Sequence, residues 1–245
     1  GIMMKNVEQV CDEVVKWLRS KVEQANKKGL IFGLSGGVDS SVVAALSKRA
    51  FPENTLGLIM PCHSNKEDEK YAHLIAKKLN INVKTVDLSS VYDEFISKMD
   101  SKTDNNLAQA NVKPRLRMIT LYYFAQLNNY LVAGSGNKSE ATVGYFTKYG
   151  DGGVDIAPIG SFVKREVREM ARFLEVPEVI IAKPPTAGLW ENQTDEKEMG
   201  FSYDILDDYI LYGKAPENFK NRIDEMNKKS EHKRKNPEVF TLDNK

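Results

Sequence analysis

The sequence lacks several features that mark large classes of protein. It has two cysteines, Cys11 and Cys62, and three histidines in 245 residues. Two distant cysteines form neither a disulfide framework nor the paired spacing of a zinc module, so a reducing compartment, the cytoplasm, is expected. The longest apolar runs, such as Leu30–Leu34 and Leu56–Met60, reach about a quarter of the ~20 residues of a membrane span. Neither a membrane segment nor a secretory leader is predicted.

An excess of one charge sign is also missing. Lys and Arg number 35 and Asp and Glu number 34, which gives a net charge of +1. Without a strong overall field, neither nucleic acid nor a membrane surface is a predicted partner. With 41% apolar and 28% charged residues, the composition is that of a folded globular protein.

The two ends of the chain are treated separately from the fold. Gly1 and Ile2 precede Met3 and Met4, and we expect them to be a cloning remnant. Residues 227–245 form a basic C-terminal tail, because Lys and Arg number five against one Glu between 227 and 235. A run of this kind is typical of a solvated surface.

Apolar periodicity along the chain alternates between strands and helices. Short apolar runs between glycines suit strands buried on both faces, and the intervening stripes at helical spacing suit packed helices. This alternation predicts an α/β fold, a doubly wound parallel sheet of at least four strands flanked by helices, in a single domain over residues 1–245. The predicted strands are Leu30–Leu34, Thr55–Met60, Asn82–Asp87 and Tyr130–Ala133, and the predicted helices are Val7–Val22, Asp39–Phe51, Tyr71–Leu79, Val91–Met99, Leu116–Leu127, Val163–Leu174 and Tyr203–Leu211.

The most informative segment joins the first strand to the second helix. It is Gly33-Leu34-Ser35-Gly36-Gly37-Val38-Asp39-Ser40-Ser41. Glycines allow backbone N–H groups to converge on an anion, the serines add hydroxyl donors, and the helix N-terminus adds partial positive charge. The segment therefore predicts a phosphate-binding loop. The alternative is an ordinary strand-to-helix turn capped by Asp39 or Ser40.

The spacing of this loop excludes two common phosphate-binding motifs. No lysine follows Gly36 or Gly37, so it is not a Walker loop, and the glycines do not match the dinucleotide fingerprint.

Asp39 in an anion site needs a cation between its carboxylate and the phosphates. Mg²⁺ combines one or two carboxylates with substrate phosphates, and Glu140 beyond the fourth strand is the candidate second ligand.

Several sequence blocks carry a resemblance to known enzymes. The loop Ser35–Ser40 resembles that of the ATP-pyrophosphatase superfamily. Further blocks, in order, resemble ammonia-dependent NAD synthetases over nearly the whole chain. They are Asn111–Met118, Phe146–Asp155, Lys164-Arg165, Lys183–Ala187 and Tyr203–Tyr209. The resemblance implies an adenine-nucleotide alpha-hydrolase-like fold and a ligase that converts deamido-NAD, ATP and ammonia to NAD, AMP and pyrophosphate through an acyl-adenylate.

The resemblance also implies a role for individual residues. Three are expected to be catalytic: Asp39, Lys164 and Asp155. ATP is expected to contact Gly33, Leu34, Ser35, Gly36, Gly37, Val38, Asp39, Ser40, Ser135, Lys164 and Thr186. Deamido-NAD is expected to contact Arg115, Lys148, Asp155, His232 and Lys233, and Mg²⁺ to be held by Asp39 and Glu140. Family members are homodimers, and the helix at 116–127 is the expected dimer surface.

The chain departs from the family pattern at two positions. Ser135 stands where many members have threonine, and Gly188 where many have aspartate after Pro-Thr-Ala. The second change puts in doubt an acidic role for that loop in orienting ammonia or substrate, and shifts that role to Asp155. The chain has no room for the glutaminase domain of larger relatives, so free ammonia is the implied nitrogen source.

An acyl-adenylate hydrolyses if water reaches it, so the site needs a cover. Thr186–Met199 and Lys84–Ser90 are the segments expected to be mobile loops with this role. No covalent nucleophile is required by the chemistry. Cys62 is therefore expected to be a packing residue, and His63 and His73 to make polar contacts rather than to act as bases.

Three rival functions share parts of this pattern. An RNA-adenylating enzyme, tRNA-thiolating or lysidine-forming, has a similar loop, but the neutral charge disfavours RNA binding. A GMP-synthetase-like amidotransferase would need additional domains. A nucleotide sensor would bind ATP without chemistry, which Asp39 and Glu140 argue against.

Overall fold

A parallel sheet forms the centre of the molecule. The computed structural model describes residues 6–99 and 106–243, so Gly1 and Ile2 lie outside the described residues. Within these ranges the strands are β1 (Gly29–Gly33), β2 (Thr55–Ile59), β3 (Asn82–Thr85) and β4 (Tyr130–Val132), in the order β3-β2-β1-β4. All the pairings are parallel. The predicted α/β fold with a parallel sheet is confirmed.

Helices cover both faces of this sheet, as expected for a doubly wound fold. In β1, Leu30 and Phe32 join the apolar cluster on one face, and Ile31 joins the cluster on the other. This alternation follows from the two-residue period of a strand. The first face is covered by α1 (Val7–Gln24), α2 (Val38–Ala50), α3 (Lys66–Leu79) and α8 (Lys164–Phe173), and the second by α4 (Ser89–Ser97) and α6 (Val112–Asn128).

A third, smaller apolar cluster lies among helices from the second half of the chain. Met199, Leu206 and Ile223 are at its centre. It is formed by α7 (Lys138–Val143), α10 (Asp195–Met199), α11 (Tyr203–Tyr212) and α12 (Glu217–Lys229). Two further short helices, α5 (Asn106–Ala110) and α9 (Glu178–Ala182), complete the set within the described ranges.

Five of these helices were not predicted from the sequence. Four of them, α5, α7, α9 and α10, have only five or six residues, which is too short to show an apolar period. The fifth, α12, buries only Ile223, so its charged surface hides the helical pattern. Residues 227–229 of the predicted basic tail are therefore the last turn of α12, and Glu231–Lys233 form a 3-10 helix.

Both predicted loops are shorter than expected. Of Lys84–Ser90, the first two residues belong to β3 and the last two to α4. Of Thr186–Met199, the last five form α10, whose N-cap Thr194 accepts a hydrogen bond from the Lys197 backbone N–H. These ends are ordered by strand pairing and by helix capping, neither of which apolar periodicity detects.

The strand order creates a switch point at the carboxyl edge of the sheet. The chain moves from β1 outward to β2 and β3, and then returns to place β4 on the other side of β1. The loops after β1 and β4 therefore diverge, and parallel sheets bind ligands in the crevice between such loops. None of the helices in the described part of the chain has the length and hydropathy of a membrane span.

Candidate active site

The glycine-rich loop occupies this switch point. It leaves β1 through a hydrogen bond from the Leu34 N–H to the Leu58 carbonyl (2.8 Å) and enters α2 at Gly37. Gly37 has no side chain to cap the helix, and no side-chain cap hydrogen bond is formed there. The alternative of a turn capped by Asp39 or Ser40 is therefore wrong. The N-terminus of α2 instead has the geometry expected of a phosphate site.

Gly36 is the most constrained residue of the loop. Its φ is +85°, and a Cβ at this position would lie 2.3 Å from the carbonyl oxygen of Asp68. A positive φ disfavours L side chains, and a backbone oxygen at that distance leaves no room for a methyl group. The loop thus packs directly against the first turn of α3.

A cavity of about 570 Å³ opens beside the loop. This volume lies in the ordinary range of small-molecule sites, about 300–1,000 Å³. Of the residues predicted to bind ATP, metal or deamido-NAD, those that line the cavity are Gly33, Leu34, Ser35, Gly37, Val38, Asp39, Ser40, Ser135, Glu140, Lys164, Thr186 and Lys233. The fold therefore brings most of the predicted ATP site to one place.

Lys164 and Asp39 form a buried ion pair in the wall of this cavity. The Lys164 Nζ donates to Asp39 Oδ2 at 2.6 Å, and the Lys164 side chain is only 2% exposed. Burial disfavours the charged amine, but the carboxylates of Asp39 and Glu140 outweigh it, so the pKa of Lys164 is raised. The lysine therefore keeps its positive charge next to the phosphate loop.

Glu140 is placed near this pair by the first turn of α7. Asn137 and Glu140 form a capping box, in which the Asn137 N–H donates to Glu140 Oε1 (3.0 Å) and the Glu140 N–H donates to Asn137 Oδ1 (2.9 Å). The Asn137 side-chain amide also donates to Asp39 Oδ1 at 3.3 Å. Burial, and then the charge of Asp39, raise the pKa of Glu140 well above its usual value.

A third carboxylate, Asp195 of α10, lines the same cavity. Its side chain is buried, and burial raises its pKa. Oδ2 accepts a hydrogen bond from the Tyr203 hydroxyl at 2.5 Å, whereas Oδ1 has no hydrogen-bond partner in the described part of the chain. Sequence reasoning missed Asp195, because it lies in a segment that was interpreted as a mobile loop.

The excess of carboxylates over the single lysine suits a divalent cation. The charge of Asp39 disfavours the ionised form of Glu140, and the orphaned oxygen of Asp195 adds to the excess of acceptors. Within residues 6–99 and 106–243, three or more His, Cys, Asp or Glu side chains do not come together as a complete metal cage. Mg²⁺ takes one or two carboxylates together with substrate phosphates, so this donor set fits it.

The residues predicted to bind deamido-NAD fall mostly outside the cavity wall. The Arg115 Nε donates to the Lys148 carbonyl (3.1 Å), and the Lys148 Nζ lies 3.1 Å from His232 Nδ1, so these three residues form one surface group. Lys233 lines the cavity, but its Nζ donates to the carbonyls of Gly144 and Phe146, both at 2.9 Å.

Asp155 is held by contacts that stabilise the fold. Its Oδ1 accepts from the Tyr122 hydroxyl and its Oδ2 from the Val132 N–H, both at 2.9 Å. It is not among the residues that line the cavity. Its expected role in catalysis therefore stays a prediction.

The segment from Lys183 to Met199 is fastened across the cavity by polar contacts. Lys183 forms an ion pair with Asp68 of α3. Lys113 of α6, which is 7% exposed, donates from Nζ to the Leu189 carbonyl at 3.1 Å. The segment thus has the position of the predicted cover. Lys113 and Lys183 lie in blocks that carry the resemblance, but the sequence gives neither of them a role.

Cys62, His63 and His73 lie outside the cavity wall. The Cys62 side chain is buried, and burial raises its pKa, as it raises that of Cys11 to about 11. His63 Nε2 lies 2.7 Å from Asp93 Oδ1, and His73 Nε2 lies 3.9 Å from Glu69 Oε1. These are the packing and polar contacts that the sequence predicted.

We expect the Cys62→Ser variant to keep its activity within about threefold, because loss of a true covalent nucleophile costs about 10⁶-fold in kcat. Its rate in the assay described below is the measurement. Neither thiol should react with iodoacetamide at pH 7.5 in the folded protein, since the raised pKa of each keeps the thiolate scarce. A thousandfold loss in Cys62→Ser with intact folding would contradict this assignment.

Comparison with known proteins gives a consistent result. The family model described as NAD synthase matches residues 10–237. The chain is 53% identical over 243 residues to the NH(3)-dependent NAD(+) synthetase of Carboxydothermus hydrogenoformans, covering 98% of this chain and 100% of that one. Among solved structures, it is similar to the NMN synthetase from Francisella tularensis (TM-score 0.94, 34% identity, 98% and 100% coverage) and to the NH3-dependent NAD synthetase from Campylobacter jejuni (TM-score 0.81, 31% identity, 97% and 100% coverage).

Proposed function

We propose, because the chain belongs to the NAD synthase family, that it is an ammonia-dependent ligase that converts deamido-NAD, ATP and ammonia to NAD, AMP and pyrophosphate. The observation that carries this proposal is the ion pair of Lys164 and Asp39, buried beside a glycine loop at the switch point of the sheet. A nucleotide sensor does not need a charged lysine and three carboxylates at that place.

In the proposed first step, the nicotinate carboxylate of deamido-NAD attacks the α-phosphorus of ATP. The bond from that phosphorus to the bridging oxygen breaks, and pyrophosphate leaves with the electron pair. The loop Gly33–Ser40 holds the phosphates with the N–H groups at the start of α2, Ser135 and Thr186 contact ATP, and Lys164 stabilises the charge on the departing group. Asp39 and Glu140 would hold Mg²⁺, which when bound neutralises phosphate charge.

In the second step, ammonia attacks the acyl carbon, the bond from that carbon to the adenylate oxygen breaks, and AMP leaves with the electron pair while the nitrogen gives up one proton to the departing phosphate. Arg115, Lys148, His232 and Lys233 are proposed to bind the dinucleotide, with Asp155 orienting the reacting end. The segment from Lys183 to Met199 would exclude water from the acyl-adenylate, which otherwise hydrolyses. No enzyme nucleophile takes part in this scheme.

The test is pyrophosphate release by the purified protein with ATP, Mg²⁺ and an ammonium salt. Release that depends on deamido-NAD, with one NAD formed per pyrophosphate, is the expected result. Pyrophosphate without NAD would mean that the acyl acceptor is wrong. ATP binding without release would overturn the proposal in favour of a sensor.

A second candidate substrate follows from one observation. The similarity to the NMN synthetase from Francisella tularensis has a TM-score of 0.94, against 0.81 for the Campylobacter jejuni NAD synthetase. NMN lacks the adenylate half of NAD, so the corresponding acid substrate would be nicotinate mononucleotide. The assay therefore includes this acid in parallel, and the ratio of the two kcat/KM values decides between them.

We also propose that the protein is a homodimer through α6. Ile119, Tyr123 and Leu127 are 59%, 60% and 65% exposed and share one helix face, and Val91 and Phe95 of the neighbouring α4 are also exposed. Contiguous apolar patches of this kind mark interaction surfaces.

The free, buried thiols support the cytoplasm as the compartment.

We expect the Tyr123→Glu/Leu127→Glu variant to be a monomer by light scattering at a concentration where the unchanged protein is a dimer. A charge at each position cannot be buried without a partner. The control is Leu74→Glu, since Leu74 is also exposed but lies on α3 over the opposite face of the sheet. A double variant that remains dimeric would move the interface away from α6.

A further inference from the structure

Helix α11 lies behind the carboxylate and lysine cluster. None of its residues is among the described residues that line the cavity. Two of its side chains, Tyr203 and Asp207, are nevertheless almost completely buried, each 1% exposed. They lie one turn apart on the same face of the helix. Both contact Lys164 or a residue that is bonded to it.

Asp207 joins the first turns of two other helices. Its Oδ1 accepts from the Ser139 hydroxyl of α7 at 2.6 Å, and its Oδ2 accepts from the Arg165 N–H of α8 at 2.9 Å. The Ser139 oxygen in turn accepts from the Lys164 N–H at 2.9 Å. One carboxylate therefore fixes the backbone of Lys164 and the residue that precedes Glu140.

This arrangement supplements the cap of α8, in which the Glu166 side chain accepts from the Val163 N–H at 3.0 Å. The N-cap residue, Val163, has no side-chain oxygen and makes no side-chain cap hydrogen bond. The first N–H groups of a helix need acceptors, and a negative charge is favourable there. Ser139 and Asp207 supply both from other helices, so the start of α8 is positioned by α11.

Tyr203 contacts the other end of the lysine. The Lys164 Nζ lies 5.3 Å from the centre of the Tyr203 ring, within range of a cation–π interaction. The Tyr203 hydroxyl also donates to Asp195. Helix α11 therefore holds the backbone of Lys164 through Asp207 and contacts its ammonium group through Tyr203.

We propose that Asp207 is a positioning residue for the adenylation step, which fixes where the ammonium group of Lys164 meets the phosphates of ATP. The inference rests on the proposed function only in the identity of the acid substrate. The positioning itself concerns ATP, which can be measured without turnover.

The experiment compares Asp207→Asn with Asp208→Asn. Asp208 is the next residue of α11, is half-exposed, and pairs with the Arg165 guanidinium at 2.9 Å, so it is a matched control. Asparagine at 207 keeps the shape and the bond from Arg165, but it loses the charge and cannot accept from Ser139 with its amide nitrogen. We expect kcat for pyrophosphate release to fall between about 10- and 100-fold, because a misplacement of about 1 Å costs about 100-fold and a smaller one costs less.

A merely structural role would give a different pattern. We expect the KM for deamido-NAD to stay within about twofold of the unchanged protein, and the Ser139→Ala and Asp207→Asn effects on kcat to be non-additive, since both act through the Lys164 N–H. The positioning role is contradicted if Asp207→Asn matches Asp208→Asn in kcat, if the two effects add, or if the loss equals the fraction of unfolded protein.

A second measurement keeps this inference separate from the proposed function. Calorimetric titration with Mg²⁺ and a non-hydrolysable ATP analogue reports on the phosphate site even if neither nicotinate substrate turns over. Weaker binding in Asp207→Asn, with unchanged binding in Asp208→Asn, would support the positioning role when the substrate assignment fails. Equal binding in both variants in that case would overturn it.

Discussion

Replacing Lys164 by alanine lowers kcat for pyrophosphate release by about 10²- to 10³-fold, the cost of removing one preorganised donor from a developing negative charge. The lysine is buried and keeps its charge because Asp39 and Glu140 raise its pKa. The assay is rapid-quench measurement of pyrophosphate at saturating ATP. Under this condition, weaker ATP binding does not lower the measured rate, and the assay reports the chemical step.

The same variant also loses stability. Removal of one partner of a buried ion pair leaves the other unpaired. Here Asp39, Glu140 and Asp195 all lose the positive charge of the Lys164 ammonium group. We expect the free energy of unfolding to fall by about 3 kcal/mol in the absence of Mg²⁺. Urea denaturation measures this change.

Lys138→Ala is the control for both effects. Lys138 is the first residue of α7, as Lys164 is of α8, but its side chain is exposed. Activity and stability should both remain close to those of the unchanged protein. A Lys164→Ala enzyme within tenfold of the unchanged kcat would remove the lysine from the adenylation step.

The second large effect is expected at Gly36. Alanine there would force a Cβ against the Asp68 carbonyl at a φ of +85°. The left-handed backbone alone costs about 1–2 kcal/mol, and the loop must also move to relieve the contact. A shift of about 1 Å at a reacting centre costs about 100-fold in rate, so we expect at least that loss together with weaker ATP binding.

Gly136→Ala serves as the control for this prediction. Gly136 lines the cavity beside the loop, but a Cβ there meets nothing within 4 Å. Its kcat should remain within about threefold of the unchanged enzyme, since surface substitutions without contacts have small effects. Similar losses in the two variants would show that any methyl group added near the ATP site is harmful and that the contact with Asp68 is not the cause.

The parts of the site that the sequence predicted are the local ones. The glycine loop and Asp39 lie in one continuous segment, whose strand, turn and helix follow from glycine spacing and apolar periodicity. Glu140 was predicted because Mg²⁺ beside Asp39 needs a second carboxylate after a neighbouring strand, whereas Lys164 needed the resemblance, because nothing in its local sequence distinguishes it from a surface residue of a helix. Asp39, Glu140 and Lys164 all line the same cavity.

The parts that were missed depend on packing between helices. Asp195 accepts a hydrogen bond from Tyr203 of the next helix, and Asp207 accepts one from Ser139, 68 residues earlier in the chain. Periodicity describes one helix at a time and contains no such pairing. Asp207 was part of a block that carried the resemblance, but a resemblance gives no role to a residue behind the site.

The spacing of these contacts along the chain has a consequence for how the enzyme is made. Lys164 and Asp39 are 125 residues apart, and Lys233 and the Gly144 carbonyl are 89 apart. Contacts of such separation form late, because long loops must close first. During synthesis, β1 to β3 can emerge and pair while α8 is still untranslated. We therefore expect the nascent chain to acquire a sheet well before it can bind ATP, and nucleotide to act as a ligand only of the finished fold.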